Sequence, residues 1–161
     1  MATATQGQRV DPYRAFNFII RLVDSSGSPG GTTTSQQSSP AAGFSECSGV
    51  EMSLDVEEYK EGGNNSVTLR FPTRVKWTNI RLKRGVALSD DLWQWHYSFV
   101  QGQVLRRDGT VTLMDEEQNP VKTWSFRRGL PVKWTGPSLN ATGNQVAIEE
   151  LEIAHEGLKL L

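Results

Sequence analysis

Cysteine, histidine and long apolar runs are scarce in this sequence. Among 161 residues there are one cysteine and two histidines. The single cysteine, Cys47, cannot form a disulfide within the chain, and a lone thiol is typical of a reducing compartment. No stretch approaches the roughly 20 apolar residues that a membrane-spanning helix needs. Residues 1–8 are small and polar, so we expect no Sec signal peptide, synthesis in the cytoplasm and no membrane insertion by this chain.

Net charge is also nearly absent, at −1 from 17 basic and 18 acidic residues. This balance argues against a protein that grips nucleic acid or an anionic membrane through a basic face. Local basic clusters remain at Lys76–Arg84, Arg106–Arg107 and Arg127–Arg128. We interpret them as solvated strand positions and loop ends, and the alternative is that some are matched to acidic partners in an assembly.

No group of residues has the spacing of a catalytic or metal site. His96, His155 and Cys47 lie far apart in the sequence, and no nucleophile elbow, Walker loop or zinc-protease motif is present. Adjacent carboxylates are usually caps or solvated surface, and such pairs include Asp90-Asp91, Glu116-Glu117 and Glu149-Glu150. We therefore predict no enzyme, no cofactor and no bound metal.

Alternation of apolar and polar residues predicts strands over most of the chain. The predicted strands are Ala15–Val23, a long Phe44–Tyr59, Val67–Phe71, Val75–Lys83, Thr110–Met114, Val121–Phe126, Leu130–Trp134 and Gln145–Ile153. Pro72 is expected to interrupt the strands around it, Asp108-Gly109 to form a hairpin turn, and a bulge to lie near Glu149-Glu150. Many short strands indicate a small β-barrel or sandwich.

One amphipathic helix is predicted after Ser89, which is a good N-cap residue. Two apolar sets recur at helical spacing, Leu92, Trp95, Phe99 and Trp93, Tyr97, Val100, and Gly102 is a plausible stop. The predicted fold class is therefore mainly β, a two-sheet β-barrel or sandwich with one flanking α-helix. We expect a single domain over residues 1–161, with a flexible Ser/Gly/Thr-rich loop at about 25–42.

Several blocks of the sequence resemble the tail tube (inner tube) proteins of contractile phage-tail-like injection systems. The blocks occur in the family's order over nearly the whole chain. They are residues 11–18 (DPYRAFNF), 43–49 (GFSECSG), 58–65 (EYKEGGNN), 80–85 (IRLKRG), 92–95 (LWQW), 134–140 (WTGPSLN) and 148–158 (IEELEIAHEGL). The connection at 25–42 is a departure, because the family's first two strands are typically joined by a much shorter loop.

This resemblance implies an Hcp-like tail tube fold assembled into six-membered rings that stack into a hollow tube. A surrounding sheath contracts and drives the tube through a target envelope. The implied partners are further copies of this chain, the sheath protein, baseplate and tube-initiating proteins, a cap protein and a possible lumenal cargo. The particle is either released from the cell or anchored to a membrane.

The loop after Tyr59 is the predicted contact between subunits or rings, because it is charged, glycine-hinged and follows a long strand. The residues concerned are Tyr59, Lys60, Glu61, Gly62, Gly63, Asn64 and Asn65. The alternative is an ordinary hairpin loop. Within the structural class, the tube of a true contractile-tailed phage and the type VI secretion ring protein remain open. From another class, a monomeric β-barrel that binds a ligand or an effector is the alternative.

Overall fold

The computed structural model of the chain describes residues 12–25, 43–60, 62, 68–86 and 88–161. This part of the chain forms nine strands and one helix, in agreement with the predicted mainly β class. The elements are β1 (Phe18–Asp24), β2 (Phe44–Ser48), β3 (Met52–Tyr59), β4 (Leu69–Trp77), β5 (Ile80–Gly85), α1 (Asp91–Val100), β6 (Arg107–Met114), β7 (Pro120–Thr135), β8 (Ile148–Ala154) and β9 (Leu158–Leu160).

Two antiparallel sheets share the long strand β7. The first sheet has the order β1-β6-β7-β9, and the second has the order β7-β8-β5-β2. Strand β7 passes from one sheet to the other at Arg128, which has a left-handed backbone with φ 53°. Because the two sheets meet along one strand and keep free outer edges, the described fold is a sandwich-like form of the predicted architecture and not a closed barrel.

The core lies between the two sheets and is covered at one side by α1. Its buried apolar residues are Ile20, Leu22, Ile80, Leu82, Leu92, Trp95, Val111, Phe126, Leu151 and Ile153. The indole nitrogen of Trp95 donates a hydrogen bond to the carbonyl oxygen of Leu105 at 2.8 Å, which satisfies its polar group inside the core. These residues form one core.

A separate sheet of two strands consists of β3 and β4 alone. We call it the ribbon. It continues from β2 and β5, and the predicted long strand 44–59 is broken at Gly49, whose φ is 85°. A side chain at Gly49 would collide with the carbonyl oxygen of Asn79. Glycine is therefore required where the chain leaves the sandwich and enters the ribbon.

Three local predictions were wrong. Asp108 and Gly109 lie inside β6 rather than in a turn. Glycine is needed at position 109 because a side chain there would collide with the Phe126 ring. Strand β4 runs through Pro72, which lies beside an irregularity in the ribbon where a missing N–H is tolerated. No bulge occurs at Glu149-Glu150, because β8 begins only at Ile148 and its pairing with β5 is regular.

Helix α1 begins at Asp91 with Asp90 at the cap position, one residue later than predicted, and the Asp90 side chain makes no cap bond. The predicted cap residue, Ser89, accepts a hydrogen bond of 3.5 Å at its Oγ from the backbone N–H of Asp91. It ends at Val100, and Gly102 follows with φ 79°, as its proposed role as a stop requires. No helix in the described part of the chain is long and apolar enough to cross a membrane. Most of the predicted 25–42 loop lies outside the described residues.

Candidate assembly surface

The ribbon has two chemically different faces. In an antiparallel pair, directly opposite residues point to the same face, and the register places Met52 opposite Trp77, Leu54 opposite Val75, and Val56 opposite Pro72. These six residues form the apolar ribbon face, and the ion pair of Glu58 and Arg70 lies at its outer end.

The opposite face of the ribbon carries most of its charges. Lys76 Nζ lies 2.7 Å from Asp55 Oδ2, and Glu57 has the same parity along β3 as Asp55. Arg74 has the same parity along β4 as Lys76 and shares its face. We call these four charged residues the charged ribbon face, and Tyr59, Leu69 and Phe71 lie at its outer end.

A register shift between Leu54 and Val56 places one extra residue in β4. Between two successive pairs, β3 advances from Leu54 to Val56, while β4 runs from Val75 to Pro72. Alternation is therefore kept along β3 and interrupted in β4, where Phe71 comes to the face opposite that of Val75. The sequence pattern alone gave no signal for this shift.

The apolar ribbon face is open to solvent in the single chain. Met52 is 72% exposed, and Leu54, Val56 and Val75 are each 52% exposed. Large side chains that are about half exposed leave on the order of 400 Å² of apolar surface in water, a size that marks interaction sites. At about 25 cal/mol per Å², covering it is worth roughly 10 kcal/mol before ordering costs. An isolated two-stranded ribbon is marginal in water, so this face requires a partner.

The root of the ribbon is fixed to the sandwich by polar contacts. The carbonyl oxygen of Thr78 lies 3.0 Å from Nε2 of His155. The amide of Asn79 donates a hydrogen bond of 2.8 Å to Glu152 Oε1. The Trp77 ring is tilted against the His155 ring at a centroid distance of 6.1 Å. These contacts hold the direction in which the ribbon leaves the sandwich.

Among the described residues, the sheet β7-β8-β5-β2 has two strand edges without a partner strand. In this part of the chain, β2 pairs only with β5, and residues 130–135 of β7 pair only with β8. Such edges are templates for pairing with another chain. On β2, Cys47 faces the core, and burial followed by the charge of Glu46 raises the pKa of its thiol to about 11, so a reactive thiolate is disfavoured there.

The basic clusters found in the sequence are largely neutralised within the chain. The pairs in the first cluster are Lys76 with Asp55, Arg81 with Glu152, Lys83 with Glu46, and Arg84 with Glu149. In the other clusters, Arg106 and Arg128 share Glu156, and Arg107 pairs with Asp24. The hydrogen bond from Lys83 to Glu46 raises the pKa of the amine. These clusters form no basic patch, and Glu149, predicted as surface, is buried opposite Arg84.

The described residues contain no constellation with evident chemistry. No group of three or more His, Cys, Asp or Glu in this part of the chain could hold a metal ion. His96 faces the carbonyl oxygen of Pro131 with its Nδ1 at 3.2 Å. One cleft of about 420 Å³ lies beside the turn after β6, where Tyr13 and Phe16 meet Glu116 and Glu117, and this mixed lining differs from a closed apolar ligand pocket.

Three of the seven predicted contact residues fall in the described part of the chain. Tyr59 ends β3 opposite Leu69, and Lys60 and Gly62 are exposed. Glu61, Gly63, Asn64 and Asn65 lie outside the described residues. The sequence therefore located the outer end of the ribbon, but it missed the larger apolar face that precedes it.

Comparisons with known proteins agree with this picture. The sequence model of a family described as T4-like virus tail tube protein gp19 matches residues 14–159. A search of curated protein sequences found no significant match.

Solved structures of the anti-feeding prophage and of an extracellular contractile injection system contain chains of the same fold. A chain in the anti-feeding prophage baseplate has a TM-score of 0.80 and 24% identity, over 95% of this chain and 97% of that one. A chain in the sheath-tube complex of the extracellular contractile injection system PVC has a TM-score of 0.76 and 25% identity, over 93% of this chain and 91% of that one. A chain in the tube-terminating cap of the anti-feeding prophage has a TM-score of 0.78 and 22% identity, over 99% of this chain and 97% of that one.

Proposed function

Because the chain belongs to the T4-like virus tail tube protein family, we propose that it is a structural subunit of the inner tube of a contractile injection system and not an enzyme. The observation that carries this proposal is the ribbon. Its apolar face is half exposed in the single chain and has no use in a monomer. In a tube subunit, the same face is an assembly contact.

The proposed assembly is a six-membered ring that stacks into a hollow tube. A heterologous contact between identical copies closes into a ring when its rotation permits. The free edges of β2 and of residues 130–135 lie on opposite sides of the second sheet, so the edge of one copy is available to pair with the opposite edge of the next. The resemblance to tail tubes supports the number six.

The outer end of the ribbon is proposed to reach an adjacent subunit or ring through Tyr59, Lys60 and Gly62, together with Glu61, Gly63, Asn64 and Asn65. Tyr59 supports this proposal, since it is 56% exposed and lies opposite Leu69 at the outer end of the ribbon. An ordinary hairpin loop remains the alternative for the four residues outside the described part of the chain.

The proposed partners follow from the relatives. Chains of the same fold occur in a baseplate, in a sheath-tube complex and in a cap. We extend these contacts to this chain, with sheath contraction driving the tube forward, tube-initiating proteins at its base and a possible cargo in the lumen. The chain is proposed to assemble in the cytoplasm and then to form part of the particle.

The experiment that tests this proposal is negative-stain electron microscopy of the purified chain, with its solution mass measured in parallel. We expect rings or stacked tubes with a central hole. A particle that stays monomeric at high concentration, and in the presence of baseplate proteins, would overturn the proposal in favour of a monomeric ligand- or effector-binding protein. The same images distinguish isolated rings, as in the type VI alternative, from a continuous tube.

A further inference from the structure

Helix α1 carries a second apolar stripe that its own chain does not cover. Leu92, Trp95 and Ser98 are buried against the sandwich. Trp93, Tyr97 and Val100 recur at spacings of four and three residues on another side, and they are 40%, 39% and 70% exposed. We call these three residues the helix stripe. A helix that is apolar on two sides is typical of one that is buried on both.

The helix stripe is rigid before any partner arrives. The Trp93 ring stacks on the Tyr97 ring at a centroid distance of 5.7 Å and meets the edge of the Trp134 ring at 4.7 Å. The indole nitrogen of Trp134 in turn donates a hydrogen bond of 3.0 Å to Glu149. An aromatic platform held in this way loses little conformational entropy on binding, and such residues are enriched in interface cores.

We propose that the helix stripe of one copy receives the apolar ribbon face of a neighbouring copy. This inference rests on the proposed function and names the contact that joins its subunits. The ribbon packs mainly against itself, and both surfaces stay exposed in the single chain. Two different apolar surfaces on one chain form a heterologous contact, the kind that generates rings and tubes, whereas one self-complementary patch generates a closed dimer.

Size and charge support this pairing. From Trp93 to Val100 the stripe rises on the order of 10 Å along the helix. The apolar side chains of β3 from Met52 to Val56 extend over a similar length, on the order of 14 Å at roughly 3.4 Å per residue. The helix begins at Asp90 and Asp91 and contains no Lys or Arg. Strand β4 contains only basic charges.

One cation on β4 is available to the acidic start of the helix. Among the described residues, Arg74 forms no ion pair, whereas Arg70 and Lys76 are paired within the ribbon. Both strands of the ribbon are edges, so the long Arg74 side chain can reach around β4. We therefore place Arg74 of one copy near Asp90 and Asp91 of the next.

Site-specific disulfide cross-linking tests this contact. In a Cys47→Ala background, one preparation carries Leu54→Cys and a second carries Tyr97→Cys. The two are mixed and oxidised with copper phenanthroline. We expect covalent dimers in the mixture to form about tenfold or more faster than in either preparation alone, because neighbouring cysteines in an assembly have an effective concentration in the millimolar range. A chain that carries both cysteines should yield a ladder of covalent multimers.

The matched controls use exposed residues on the other faces. Thr73→Cys lies on β4 beside Asp55, on the charged ribbon face. Gln94→Cys lies on the exposed surface of the same helix outside the stripe. We expect neither to cross-link efficiently to its counterpart, and comparable rates for the control pairs would overturn the inference.

The cross-linking experiment gives a different result if another surface or protein covers the helix stripe. Rapid cross-linking of Leu54→Cys with itself would show ribbon-to-ribbon contact and overturn the proposed pairing. Rings seen by electron microscopy without Leu54–Tyr97 cross-links would also overturn it while leaving the tube function intact, and would leave the helix stripe to another protein such as the sheath. An absence of both rings and cross-links would overturn the contact and the proposed function together.

Discussion

Val75 and Thr73 lie two residues apart on β4, yet they point to opposite faces of the ribbon. Val75 is opposite Leu54 on the apolar ribbon face, whereas the Thr73 hydroxyl donates a hydrogen bond of 3.1 Å to the carbonyl oxygen of Asp55 at the irregularity. The two side chains have nearly the same shape and both are exposed, so a difference between substitutions at the two positions reports the face.

Val75→Lys is expected to weaken self-assembly, and Thr73→Lys is not. A lysine on a face that becomes covered has to lose its hydration without an acidic partner, which is costly. We expect the concentration needed for assembly to rise by about tenfold or more for Val75→Lys, since each 1.4 kcal/mol is a factor of ten. Sedimentation velocity over a concentration series measures it. Equal effects at both positions would contradict the assignment of faces.

Gly49→Ala is expected to destabilise the chain and to misdirect the ribbon. The left-handed backbone at Gly49 costs a side-chain-bearing residue about 1–2 kcal/mol, and the added carbon would also collide with the Asn79 carbonyl. Urea denaturation should therefore show a loss above 2 kcal/mol, roughly. Gly43→Ala is the control, since nothing lies within 4 Å of that position, and a similarly large loss there would argue against the local cause.

Glu149→Gln is expected to cost about 3–5 kcal/mol, because it leaves the buried Arg84 guanidinium without its counter-charge. The two side chains are 8% and 3% exposed. Replacing both partners with apolar residues, as Arg84→Met with Glu149→Leu, should cost less than either single change. Urea denaturation measures each variant.

The control for this buried pair is the exposed pair of Glu58 and Arg70. Glu58→Gln is expected to cost about 1 kcal/mol or less, since solvent screens exposed ion pairs. A loss at Glu149→Gln no larger than that at Glu58→Gln would show that the buried pair does not contribute as the geometry indicates.

The thiol of Cys47 is expected to react slowly with iodoacetamide at pH 8. Burial raises its pKa from the ordinary 9.0 to about 11, so the thiolate, which is the reactive form, is depleted by roughly ten- to a hundredfold. The labelling rate should rise with pH until about 11 and should rise sharply on unfolding in urea. Because the folded state favours the neutral thiol, its contribution to stability is present below pH 9 and falls as the pH rises through 11. Equal labelling rates in the folded and unfolded chain at pH 8 would contradict this.

Local sequence patterns predicted the elements that depend on local physics. The alternation in residues 15–23 corresponds to β1, and the two apolar sets after Ser89 correspond to the two sides of α1. Predictions failed where a distant residue decided the outcome. Gly109 was interpreted as a turn residue because nothing nearby in the sequence shows that the Phe126 ring occupies the space beside it.

The candidate surface was predicted only at its outer end. Tyr59 was named as a contact residue, but the register shift after Leu54 determines which of its neighbours share its face. The pairing of the two strands determines that register, and the sequence of one strand alone does not predict it. The buried position of Glu149 was missed for the same reason, because its partner Arg84 is 65 residues away.

The sequence by itself determined the class of the protein: a mainly β chain, with one helix among the described residues, that belongs to the tail tube family. These properties follow from composition, periodicity and residue order, which are local or cumulative. Only the tertiary structure decided that the ribbon has an apolar and a charged face, that the basic clusters are neutralised and that the helix keeps an exposed stripe. Each of these properties depends on which side chains from distant segments come into contact, because those contacts determine which groups are buried and which charges are paired.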